Sequence, residues 1–152
     1  MKYCNSLNKY SRFKTREVKV GNITIGGNQP IRIQSMTTTN TMDTIDTVEE
    51  SIRMIKAGCE LVRITAPSKK EAHNLQNIKE ELKKRGYNTP LIADIHYTPN
   101  AAEIAAKIVE KVRVNPGNCE VAIWQQKKKL FVCVPQSDCV RGVRLPSELT
   151  LV

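Results

Sequence analysis

Three short stretches of this chain set polar side chains two residues apart: Arg63 with Thr65, Asp94 with His96, and Arg113 with Asn115. One apolar residue separates the members of each pair, and an apolar run precedes each, which is the pattern of a strand's end. Side chains two apart on a strand point to the same side, so each pair projects as a unit. Two guanidinium groups could then fork onto the oxygens of a phosphate or diphosphate. Asp94 and His96 could orient hydroxyl groups or move protons. Taken one pair at a time, a plainer reading competes, in which Arg63 and Arg113 pair with acids such as Asp94 and His96 caps the following loop. Three pairs at equivalent strand ends favour a shared pocket, because in a parallel β-α sheet all such ends lie along one carboxyl edge, where ligands bind.

Other residues are less committed. Gln34-Ser35-Met36-Thr37 ends an earlier apolar run, and its hydroxyls either reach the same mouth or start the loop before a helix. Asn115-Pro116-Gly117-Asn118 is a turn by chemistry, where Gly117 permits positive φ and exposed backbone N–H groups could meet an anion. Cys59 begins a strand and reads as a small buried hydrophobe at the end opposite the mouth. Cys119, Cys133 and Cys139 lack the Cys-x-x-Cys spacing of common zinc and iron–sulfur sites. His73 lies in a charged helix and is expected to be solvated.

The elements that must position these residues follow a regular grammar. Val18–Val20 and Ile23–Ile25 alternate around Gly21-Asn22, which predicts an N-terminal hairpin. Ile31-Arg32-Ile33-Gln34 is predicted as a strand, followed by a helix starting near Asp43 or Thr44 and running to about Ala57. Ile45, Val48, Ile52 and Ile55 are expected to form its buried face, and Gly58 its left-handed stop. Leu61–Ile64 is the next strand, and Ser68 with Glu71 forms a capping box for a helix with Ala72, Leu75, Ile78 and Leu82 inward, ended by Gly86. Leu91–Ala93 is a third strand. Thr98-Pro99 opens a third helix expected to reach about Glu110, and Val112–Val114 is a fourth strand. Strands alternating with helices predict right-handed crossovers and a parallel sheet.

The chain has 152 residues, room for one ordinary domain with a real core. Its formal charge of +9 favours anionic partners: nucleic acid, a membrane surface or phosphorylated metabolites. Aromatic residues are 5% of the chain and none interleaves with a Lys/Arg run, which argues against a single-strand stacking platform. No apolar stretch reaches the roughly 20 residues of a membrane span, and residues 1–16 are polar and basic, so a cytoplasmic protein with no membrane partner is expected. Five cysteines, an odd number at irregular spacing, fit free thiols in a reducing compartment.

Four strings in order, Gln34-Ser35-Met36-Thr37, Gly58-Cys59-Glu60-Leu61-Val62-Arg63, Ala93-Asp94-Ile95-His96 and Arg113-Val114-Asn115-Pro116-Gly117-Asn118, resemble the barrel of the 4-hydroxy-3-methylbut-2-enyl diphosphate synthase family. The resemblance runs from about Thr15 to Asn118. It implies an α/β fold, a partial TIM (β/α) barrel of about four βα units with an N-terminal β-hairpin. It implies an oxidoreductase of isoprenoid biosynthesis that reductively opens methylerythritol cyclodiphosphate, with electrons from ferredoxin or flavodoxin through a 4Fe-4S cluster. Carried over by position, Arg63 and Arg113 would clamp phosphate oxygens, while Asp94, His96 and Asn115 would orient the substrate.

The departures shape the expected organisation: residues 1–17 as an extension, 18–118 as the first half of a barrel domain, and 119–152 as a divergent tail. The tail carries Trp124 and Lys127-Lys128-Lys129, with a strand expected over Leu130–Val134. The family's cluster ligands, three Cys and a Glu in a separate C-terminal domain, are not found in this chain, so a truncated or frame-shifted gene is the expectation, with a fragment inactive alone. An open half barrel exposes an edge and an apolar face, and a homodimer is one way to cover them. Two rivals stand beside this reading: a basic protein binding nucleic acid or acidic partners, and a pterin-binding barrel, which the Asp-Ile-His and Asn-Pro-Gly-Asn strings fit poorly.

Overall fold

The computed structural model describes Asn8 and residues 14–114. Asn115, its turn through Asn118, the tail from Cys119 and the strand expected over Leu130–Val134 lie outside the described residues. Six strands and three helices run in the order β1 (Val18–Val20), β2 (Ile23–Ile25), β3 (Gln34–Met36), α1 (Thr44–Lys56), β4 (Leu61–Thr65), α2 (Lys69–Lys84), β5 (Leu91–Ile95), α3 (Pro99–Ala105) and β6 (Lys111–Val114). β3, β4, β5 and β6 form one parallel sheet in that order, and β1 and β2 an antiparallel hairpin.

The sheet's period-two alternation splits its residues between two environments. Val62, Ile64, Ala93 and Ile95 pack with the helices and are fully buried. Ala72, Leu75, Ile78 and Leu82 of α2 face them as the helical spacing predicts. Burying each large aliphatic side chain contributes about 1.5–3 kcal/mol. On the opposite side Leu61 and Ile92 pack against Val20, so the hairpin covers the amino-terminal end of that face. Its turn fits closely: Gly21 has φ 59°, and a Cβ there would lie 2.9 Å from Pro90.

The caps follow local chemistry. The Asp43 carboxylate accepts from the Asp46 N–H at 3.2 Å and starts α1, and Gly58 at φ 100° ends it. Ser68 accepts from the Lys70 N–H and donates to Glu71. That hydroxyl, first among the causes, holds the Glu71 carboxyl below its ordinary range.

Three expectations are corrected. The first strand of the parallel sheet is Gln34–Met36, not Ile31–Gln34. Ile31 and Ile33 are exposed, and the Arg32 guanidinium donates to Glu60 at 2.9 Å and to the Thr24 carbonyl at 3.1 Å. The Ile33 N–H donates to the same carboxylate at 3.0 Å while the Ile33 carbonyl accepts from the Glu60 and Leu61 N–H groups, so a side chain takes one half of the pairing until Gln34 meets Leu61. Second, α3 stops at Ala105 rather than near Glu110. There the bonds tighten to three-residue returns, Lys107 to Ile104 and Ile108 to Ala105. The Glu110 carboxylate accepts from the Leu91 N–H at 2.9 Å and pairs with Lys79 at 2.7 Å, which brings the chain down into β6. Third, Ile45 is 53% exposed, whereas Thr47 and Ser51 are buried beside Val48 and Ile52. Their hydroxyls are satisfied within the helix and its cap, Thr47 donating to the Asp43 carbonyl at 2.7 Å and Ser51 to the Thr47 carbonyl at 2.7 Å.

Candidate anion-binding site

Asp94 lies at the centre of the polar face. It is buried to 2% exposure on β5, a strand buried throughout. Register places Thr65 of β4 and Arg113 of β6 on its two sides. Arg113 Nη1 donates to Asp94 Oδ1 at 2.9 Å. Arg63, one residue pair lower on β4, brings Nε to 3.4 Å from Oδ2 and to 3.2 Å from the Met36 sulfur. His96 Nε2 lies 3.9 Å from Oδ2, and its ring tilts against Tyr97 at a centroid distance of 5.9 Å.

Four of the five residues singled out from sequence, Arg63, Asp94, His96 and Arg113, therefore meet at one carboxyl edge, and Asn115 lies outside the described residues. The inter-strand ion pairing that the sequence also allowed is present as well. The two arrangements coexist because Asp94 engages one nitrogen of each guanidinium, leaving the other donors of each planar fork for a further acceptor. A buried carboxylate that holds two partly exposed guanidiniums fixes their planes before any ligand arrives.

Lys111 was not singled out from sequence. It lies on the same face, two residues before Arg113, in register with Ile92, which is in register with Arg63. The spacing of two that links Arg113 to Asn115 would have found it if extended backwards along β6. Burial, and then the neighbouring Arg63 charge, lower the pKa of its ammonium. Two guanidiniums thus hold one carboxylate, with a third cation on the same face beside Arg63, and the excess of positive charge suits an anion.

The loop hydroxyls do structural work. The Thr37 N–H donates to the Arg63 carbonyl at 2.9 Å, and the Thr41 hydroxyl to the Thr65 carbonyl at 2.6 Å. Thr98, at the N-cap of α3, donates its hydroxyl to the Pro67 carbonyl at 3.1 Å and makes no side-chain cap bond. Each clips a loop to the end of a neighbouring strand. Glu50 of α1 accepts from the Thr38 hydroxyl at 2.8 Å and from the Thr38 and Thr39 N–H groups, both at 3.0 Å; burial raises its pKa, but these bonds, the hydroxyl's first, outweigh burial and leave it lowered. Cys59 is buried, with its thiol donating to the Leu61 carbonyl at 2.9 Å, and His73 is exposed. Among the described residues no group of three or more His, Cys, Asp or Glu could hold a metal ion, so a 4Fe-4S cluster finds no fitting ligand set there.

A parallel β/α sheet with helices on one face and, at its carboxyl edge, a buried carboxylate holding two guanidiniums defines part of a TIM-barrel domain. The comparisons name the family. The chain belongs to the GcpE TIM-barrel domain family, whose model matches residues 15–143 and so continues beyond Asn118. It is 54% identical over 130 residues, 86% of the chain, to a 4-hydroxy-3-methylbut-2-en-1-yl diphosphate synthase (flavodoxin) of Akkermansia muciniphila. A Leptospira interrogans protein of the same name is 52% identical over 81% of the chain. The chloroplastic, ferredoxin form of Arabidopsis thaliana is 50% identical over 77%. The chain spans about a fifth of these relatives' length, at 21%, 18% and 16% respectively.

Proposed function

We propose that this chain is the diphosphate-holding first part of a 4-hydroxy-3-methylbut-2-enyl diphosphate synthase, an oxidoreductase that opens methylerythritol cyclodiphosphate in isoprenoid biosynthesis. The observation that carries the reading is the pair of guanidiniums fixed on buried Asp94 at the sheet's carboxyl edge. Arg63 and Arg113 direct their remaining N–H groups onto phosphate oxygens. His96 and Asn115 orient the substrate. Electrons come from flavodoxin or ferredoxin, the words carried in the relatives' names. In the intact family a 4Fe-4S cluster would supply the electron transfer, and the described residues of this chain offer no ligand set for it. The reading places the protein in the cytoplasm of its cell; among the described residues no helix is long and apolar enough to cross a membrane.

Calorimetry on the 152-residue chain with the cyclic diphosphate tests the reading. Arg63→Ala and Arg113→Ala are each expected to weaken binding by about 1–3 kcal/mol. Equal affinity in all three proteins removes the clamp.

A further inference from the structure

Resting on that reading, we propose that Lys111 is a third cation of the diphosphate cradle, meeting phosphoryl oxygens from the floor of the pocket beside Arg63. The argument is positional. Met36, Arg63, Ile92 and Lys111 form one row across the sheet, and Asp94 with Arg113 forms the row above it. Lys111 thus sits one strand repeat deeper than Arg113, roughly 6–7 Å along β6. Arg113 at the rim and Lys111 on the floor bracket a ligand longer than a single phosphate.

The charges point the same way. Both oxygens of Asp94 are engaged, one by Arg113 and the other by Arg63 and His96. Glu110, next to Lys111 in the chain, directs its carboxylate to Lys79 and the Leu91 N–H. Among the described residues the Lys111 ammonium therefore has no acid partner, and it is half-buried near a second cation. Such a group costs the fold stability until an anion arrives. An ammonium also suits this place, being a compact charge with three rotatable donors where a planar fork is already present. Arg63 of β4 is the charged group beside it, Asp94 and Arg113 lie one repeat further along the same side of the sheet and His96 beyond them, while Met36 of β3 shares its row and Val20 of the hairpin packs on neighbouring Ile92.

Titrating the 152-residue chain with inorganic diphosphate, followed by amide NMR shifts, tests the assignment. Lys111→Met is expected to weaken binding roughly tenfold while its thermal midpoint without ligand stays level or rises. Lys111→Arg is expected to keep the affinity. As pH rises through the lysine's lowered pKa, wild-type binding should weaken relative to the Arg variant, which stays charged. Because the rest of the two proteins is identical, that difference reads Lys111 alone. Unchanged binding by Lys111→Met beside weakened binding by Arg113→Ala overturns this assignment and leaves the proposed function standing. Loss of stability and binding together in both lysine variants marks a structural residue and overturns it too. A wild-type chain that ignores inorganic diphosphate overturns both readings.

Discussion

The two faces of the parallel sheet are built from alternate residues of the same strands and have opposite characters. Towards the helices, Val62, Ile64, Ala93 and Ile95 are fully buried and apolar. Towards the other side, Arg63 and Arg113 pair with Asp94, and Lys111 shares that face beside Arg63. One side of each strand therefore packs the core and the other gathers charge, with only the two-residue repeat keeping them apart. A one-residue slip of β5 would send Asp94 into the helices.

Substitutions on either side should therefore fail in different ways. The largest effect is expected from Ile78→Ala on the helical side, which leaves a cavity and should cost about 2–5 kcal/mol in denaturant unfolding. Diphosphate affinity per folded molecule should not change; a large fall in affinity would break the comparison. Asp94→Asn is expected to cost less, about 1–3 kcal/mol. A fully buried pair loses more, but here both guanidiniums keep access to water. Its distinguishing mark is a fall in ligand affinity larger than that of any helix-side change of equal stability cost.

Acid should give the smallest effect and sharpen the contrast at the amino-terminal end of the sheet. The Ile33 N–H, and then Arg32, hold the Glu60 carboxyl below its ordinary range. A depressed carboxyl stabilises the fold fully above its unfolded pKa, near about 4.3, and loses that contribution as pH falls through the folded value. Thermal midpoints measured downwards from about pH 5 should therefore fall, and less steeply in Glu60→Gln, whose loss is already present at neutral pH. Parallel curves for the two proteins would show that the tie contributes nothing.

Much of this was legible in the chain itself. The α2 stripe, the Ser68–Glu71 cap and the Gly58 stop are local patterns with local causes, and the structure has them as read. So is the meeting of Arg63, Asp94, His96 and Arg113, because a parallel sheet forces strand ends together. What escaped the sequence reading depends on distant partners. Ile31 and Ile33 alternate with Arg32 like a strand, yet the Ile33 N–H goes to the side chain of Glu60, 27 residues on, rather than to a strand carbonyl. Thr47 and Ser51 look like an outward face until their hydroxyls find carbonyls one turn back. Lys111 looks like one more surface lysine: the two-residue spacing from Arg113 assigns its face, but only register with Ile92 and Arg63 shows what stands beside it there.

The hairpin closes over Leu61 and Ile92, with Gly21 pressed on Pro90. Removing residues 18–25 would therefore bare two aliphatic side chains to water at the amino-terminal end of the sheet, while the charged groups at its carboxyl end would keep their partners.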